Sequence, residues 1–168
     1  MRALVVFESM FGDTETIARA IAEGLSSGMR VDVVDVATRP RVEGDVDLLV
    51  VGGPTHAFGM TRASTRQDAV RQGGRAAAAD IGLREWLDEL APTGFADAAA
   101  FDTRINKRFI PGSAARGAGD LLRRHGFRLV VPPESFRVTG TPGPLVDGEE
   151  DRARGWGHAL ATSLTPCR

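Results

Sequence analysis

Cysteine is nearly absent from this 168-residue sequence: Cys167 stands alone, second from the end. A single thiol cannot close an internal disulfide or hold a metal cluster. The chain therefore fits a reducing compartment, and Cys167 reads as a tail residue without a catalytic role. Tyrosine is missing altogether. Neither charge sign dominates; 21 basic and 22 acidic residues leave a formal net charge of −1. That balance gives no global electrostatic reason to bind nucleic acid or an acidic membrane. Long hydrophobic runs are lacking as well. The opening MRALVVFE holds five consecutive apolar residues before Glu8, too few for the apolar region of a signal peptide or for a membrane span. These absences lead us to expect a soluble cytoplasmic protein.

What is present is an ordinary globular composition, 42% hydrophobic and 26% charged, at a length that suits one domain spanning residues 1–168. Short apolar runs alternate with stretches of helical period. Residues 3–7 (ALVVF) read as a strand buried on both faces. Ile17, Ile21 and Leu25 then mark one helix face. Residues 29–36 and 47–53 read as further strands. Leu83, Trp86, Leu87 and Leu90 follow the spacing of an amphipathic helix. A weak strand at 98–101 precedes a helical stripe of Ala114, Ala118, Leu121 and Leu122. Residues 128–138 read as a strand broken at Pro132-Pro133, since proline donates no ladder bond. A last helix is expected from Asp147, with Glu150 placed for a capping box. The low-complexity stretch 71–80 reads as an exposed loop or helix end. Strand and helix in this alternation predict an α/β fold, a mostly parallel sheet with helices on both faces.

In such sheets ligands bind beyond the carboxyl ends of the strands, where strand order reverses. Three loops are placed there. The first is FESMFGDTET, residues 7–16. Ser9, Thr14 and Thr16 supply hydroxyls, Gly12 allows a tight turn, and the helix that follows favours an anion at its start. It contains no lysine or arginine. The Walker and dinucleotide fingerprints are both absent, so a phosphate here would be held by amides and hydroxyls; the stretch reads equally well as a capped strand-to-helix turn. The second loop, GGPTHAFGM (52–60), offers a rigid turn at Pro54 and Thr55, then His56, Ala57, an aromatic wall at Phe58, and Gly59. The third, Phe101 to Arg104, offers Asp102, Thr103 and Arg104 for polar contacts with the edge of a ring. Alone, each also reads as ordinary turn or core residues.

Taken together, the three loops resemble those of the flavodoxin family. Ser9, Gly12 and Thr14 fall at the places of that family's [ST]-x-T-G-x-T loop, and SMFGDTE is closer still to the flavodoxin domains of flavodiiron proteins. GGPTHAF is similar to the family's ring-binding loop, with Phe58-Gly59 like the aromatic-glycine pair beside the flavin. The run from FDTR through PGSAARGAGDLLRRHGF and PPESFRV to GPL..GE..RA..WG resembles small actinobacterial flavodoxin-like proteins. The resemblance implies a doubly wound, five-stranded parallel sheet in order 2-1-3-4-5 with FMN at the switch between strands 1 and 3, flavodoxin being itself a standard example of that placement. It would put the FMN phosphate on Ser9, Met10, Phe11, Gly12, Asp13 and Thr14. The flavin ring would lie between Pro54, Thr55, His56, Ala57, Phe58 and Gly59 on one side and Asp102, Thr103 and Arg104 on the other.

The sequence departs from the family in three places. Phe11 stands where a hydroxyl residue is usual. With no tyrosine, the outer ring face is left to Phe109 or left open. Arg62, Arg66, Arg104, Lys107 and Arg108 suggest a basic rim, which would favour an anionic reduced flavin and raise its potential. The resulting expectation is an FMN-binding electron-transfer protein, taking electrons from a reductase and passing them to an acceptor protein. Two alternatives are an FMN-dependent NAD(P)H or quinone reductase and a flavodoxin-fold binding module without cofactor. No separate nicotinamide motif is visible, which favours the first reading over the reductase. Gly59 beside Phe58 would permit a peptide flip next to the flavin.

Overall fold

The structure is a computed structural model that describes residues 1–91 and 96–164; Cys167 lies outside them. Its centre is a parallel sheet. The strands are β1 (Arg2–Phe7), β2 (Arg30–Asp35), β3 (Leu48–Pro54), β4 (Asp97–Ile105), β5 (Arg128–Leu129) and β6 (Glu134–Val138). The order β2-β1-β3-β4-β5 is the one expected, and β6 also pairs with β4. The fifth position is thus filled by two short strands. The interruption spans Pro132 and Pro133, and β6 resumes beside Phe101–Ile105, next to the carboxyl end of β4.

Alternation along β1 explains the layering, because successive side chains leave opposite faces of a strand. Ala3, Val5 and Phe7 join the core under α1 (Asp13–Leu25) and α5 (Glu149–Leu164). Leu4 and Val6 join the core under α3 (Leu83–Asp88) and α4 (Ala114–Arg124). The remaining helix, α2 (Ala63–Arg71), lies beside the first loop. The final helix begins at Glu149, two residues later than expected, and the Glu149 carboxylate accepts the Arg137 N–H at 2.7 Å.

Helices α1 and α5 approach to backbone contact. A Cβ added at Gly157 would overlap the Ile21 carbonyl, and one added at Gly24 would overlap that of Arg154. Replacing Gly157 by alanine is therefore expected to push the helices apart and cost about 1–3 kcal/mol, the usual range for overpacking. A urea titration of the variant would measure the loss; an unchanged midpoint would refute the contact.

Stretch 71–80 is exposed only in part. Gly73 adopts φ 95°, the Gly74 N–H donates to the Ala69 carbonyl, and Ala78 buries against Met10 and Ala69. The chain beyond α2 is thus folded back onto the first loop.

Candidate functional site

β1, β3 and β4 end side by side, and their loops surround a cleft of about 290 Å³. At one end is the first loop. Gly12 takes φ 105°, a left-handed conformation that glycine adopts without penalty, and α1 starts at the next residue. The Gly12 N–H donates to the buried Ser9 Oγ, while Thr16 Oγ1 donates back to the Gly12 carbonyl. The first helical N–H to find a backbone acceptor is that of Thr16. The amides of Asp13, Thr14 and Glu15 have no acceptor among the described residues, as expected for the first turn of a helix, and neither has that of Phe11 just before it. Such amides and the helix dipole together favour an anion.

Other residues give the cleft its walls. Met10, Phe11, Asp13 and Thr14 line it from the first loop; Pro54, Thr55, His56 and Ala57 from the second; Thr103 and Arg104 from the third. The Thr14 and Thr103 hydroxyls are bonded at 2.7 Å, tying the start of α1 to β4. Arg104 donates to the Ile110 carbonyl at 2.6 Å, which fixes its side chain along the third loop. Burial pushes the Asp13 carboxyl up from its ordinary pKa. Burial, aided by the positive charge of Arg66, pushes the His56 imidazole down, so it is neutral at physiological pH.

Several expected residues stand elsewhere. Ser9 lies under the loop as a cap for Gly12. Asp102 is fully buried behind the cleft: one carboxylate oxygen accepts from Thr55, Ser113 and the Ala115 N–H, so it anchors the start of α4. Its other oxygen has no partner among the described residues. Phe58 points to solvent, 62% exposed, and Phe109 is 97% exposed, so neither ring covers the cleft here. Residues 56–59 form a tight hairpin in which His56 and Gly59 exchange backbone hydrogen bonds. Ala57 (φ 44°) and Phe58 (φ 73°) are both left-handed. A peptide flip at Gly59 would first have to break its bond to His56.

Arg66 corrects the expected basic rim. It is buried, with Nη1 donating to Thr61 and both terminal nitrogens donating to Glu85. Thr61 in turn donates to Glu8, whose second oxygen accepts the Leu83 N–H. Burial pushes the Glu8 carboxyl up, against the pull of these donors and of Arg66. Arg62, Lys107 and Arg108 remain exposed, as expected of a rim.

Comparison with known proteins bears on this geometry. The flavodoxin family model matches residues 5–79, the span that holds the first two loops. Over that span the chain is similar to the flavodoxin family. No curated protein matches it by sequence. Among solved structures, an oxidised flavodoxin from Bacillus cereus superposes with TM-score 0.69 at 19% identity, covering 99% of this chain and 100% of the other. A flavodoxin from Pseudomonas aeruginosa gives TM-score 0.67 at 15% identity, with 99% and 100% covered. The flavodiiron protein from Giardia intestinalis gives 0.63 at 16%, covering 96% of this chain but 36% of that longer one. These likenesses establish the flavodoxin fold. Among the described residues no helix is long and apolar enough to cross a membrane, and no cluster of metal-ligating side chains occurs.

Residues 63–72 also contribute to the cleft, through Thr65, Asp68, Ala69 and Gln72 on and just beyond α2. The sequence signal for them was weak, because α2 carries mostly polar residues without a clear apolar stripe.

Proposed function

We propose that this protein of flavodoxin fold is a flavodoxin that binds FMN in the cleft and carries electrons between redox partner proteins in the cytoplasm, a reductase serving as donor. The observation that carries the reading is the set of unsatisfied amides of Phe11, Asp13, Thr14 and Glu15, at the start of α1 beside a cleft flanked by His56 and Thr103. That donor set suits a phosphate monoester, and it does so without the lysine and metal that a triphosphate site uses. Phe11, in the place of a hydroxyl residue, leaves the cradle to the amides and Thr14.

FMN, once bound, supplies the one- and two-electron redox chemistry, so the chain itself needs no nucleophile or general acid. Its residues bind and orient. Thr14 and Thr103 hold the two sides of the cleft together, Pro54 and Ala57 shape the ring-side wall, and Arg104 places a cation there. Neutral His56 adds no charge to the site. Arg62, Lys107 and Arg108 would form part of the face presented to a partner.

Purification with added FMN and a visible spectrum test the reading. The expected result is a yellow protein that quenches flavin fluorescence; a colourless protein beside unquenched FMN would overturn it. If flavin binds, NADPH oxidation without a separate reductase would instead identify a stand-alone reductase.

A further inference from the structure

The first loop carries no cation of its own, yet the fold brings one to it. Beyond α2, Gly73 and Gly74 turn the chain back, and a Cβ at Gly74 would stand 2.8 Å from the Ala69 carbonyl. The turn ends with the Arg75 N–H donating to the Met10 carbonyl at 2.8 Å, while Ala78 packs on Met10. Arg75 is thereby fixed by its backbone to the loop itself. Its Nη1 pairs with Glu15 Oε2 at 2.7 Å, and its Nη2 lies 3.5 Å from where a Cβ on Gly12 would stand. Nη2 donates to no group among the described residues, and the side chain is 46% exposed.

We infer that Arg75 is a phosphate-binding residue, supplying to the cradle the guanidinium that the loop lacks. The inference rests on the FMN reading above and names a further ligand within it. Local charge favours such a group. Asp13 and Glu15 place carboxyls on either side of Thr14, and hydrogen bonds from Arg75 and Arg19 hold Glu15 below the usual range and therefore charged. A phosphate dianion entering beside them meets like charge unless a cation faces it. Arg19 extends from α1 at 61% exposure with its guanidinium on Glu15, and Arg104 is bound to the Ile110 carbonyl in the third loop. Of these three, Arg75 is the cation that stands beside Gly12. Its planar fork can keep one nitrogen on Glu15 and turn the other to a phosphate oxygen. An exposed Arg–Glu pair adds little stability by itself, so pairing with Glu15 alone gives the elaborate backbone anchoring of Arg75 no purpose.

The test compares FMN with riboflavin, which has the same ring but no phosphate, by fluorescence quenching on wild type, Arg75→Gln and Arg75→Lys. Arg75→Gln is expected to weaken FMN about tenfold, the loss of one charge-assisted contact, and to leave riboflavin unchanged. Arg75→Lys should recover part of the loss, and the salt dependence of FMN binding should flatten in Arg75→Gln. A melting curve checks that the variants are folded. Equal FMN affinity in wild type and Arg75→Gln, or equal losses for FMN and riboflavin, would overturn the role of Arg75 while leaving the FMN site standing. A wild type that binds neither flavin would overturn both.

Discussion

Replacing Arg66 by alanine is expected to lower the unfolding free energy by about 3 kcal/mol, the lower end of the range for removing one partner from a buried ion pair. The estimate follows from what the guanidinium touches. It bonds Glu85 twice, Thr61, and the Ala79 carbonyl, and through Thr61 it reaches Glu8 at the root of the first loop. Truncation leaves Glu8 buried with only Thr61 and the Leu83 N–H as donors. The Glu85 side chain is 37% exposed and regains water, which holds the cost to the lower end. Glu8 directly precedes Ser9, so the same change should loosen the cradle and weaken FMN. Chemical denaturation with paired flavin titrations measures both effects. A loss below about 1 kcal/mol would mean that Glu8 is neutral and Glu85 solvated in the native protein, leaving Arg66 no charge to offset.

Arg66 also shows where the sequence ceases to be legible. The strands at 3–7 and 47–53 could be read because continuous apolar runs bounded by glycine and charge have few other uses, and the helix at Ile17, Ile21 and Leu25 because its stripe repeats at helical spacing. The placement of the loops followed from the alternation of strands and helices, and the strand order from the family resemblance. Arg66, however, sits in a polar stretch that looks solvated; its burial is created by Glu8 and Glu85, which lie far away in sequence. The direction of Asp102 is hidden for the same reason. Its position at the end of β4 was evident, but its direction is set by the hydroxyls of Thr55 and Ser113 and by the amide of Ala115. Arg75 was hidden in a glycine- and alanine-rich stretch whose only visible feature was low complexity. In each case the missing information was a long-range pairing, whereas the legible features were periodic and local.

The second large effect is expected from Gly112→Ala, and it would fall on the ring side of the cleft. Gly112 has φ 86°, a region where an L side chain costs about 1–2 kcal/mol. The added Cβ would also overlap the carbonyl of Phe58. Phe58 and Ala57 are already left-handed, and such strain persists only where the surroundings enforce it. The hairpin at 56–59 is therefore braced by the loop before α4 and cannot yield without giving up its shape. Strain and overpacking together should cost about 2–4 kcal/mol, and the hairpin should move off its brace. Because His56 and Ala57 line the cleft, that movement reaches the flavin site directly. The expected signature is the reverse of that for Arg75. FMN and riboflavin should weaken by the same factor, since the ring is affected and the phosphate is not. A variant that loses stability but binds both flavins as wild type does would show that the hairpin shapes the fold and not the ring pocket.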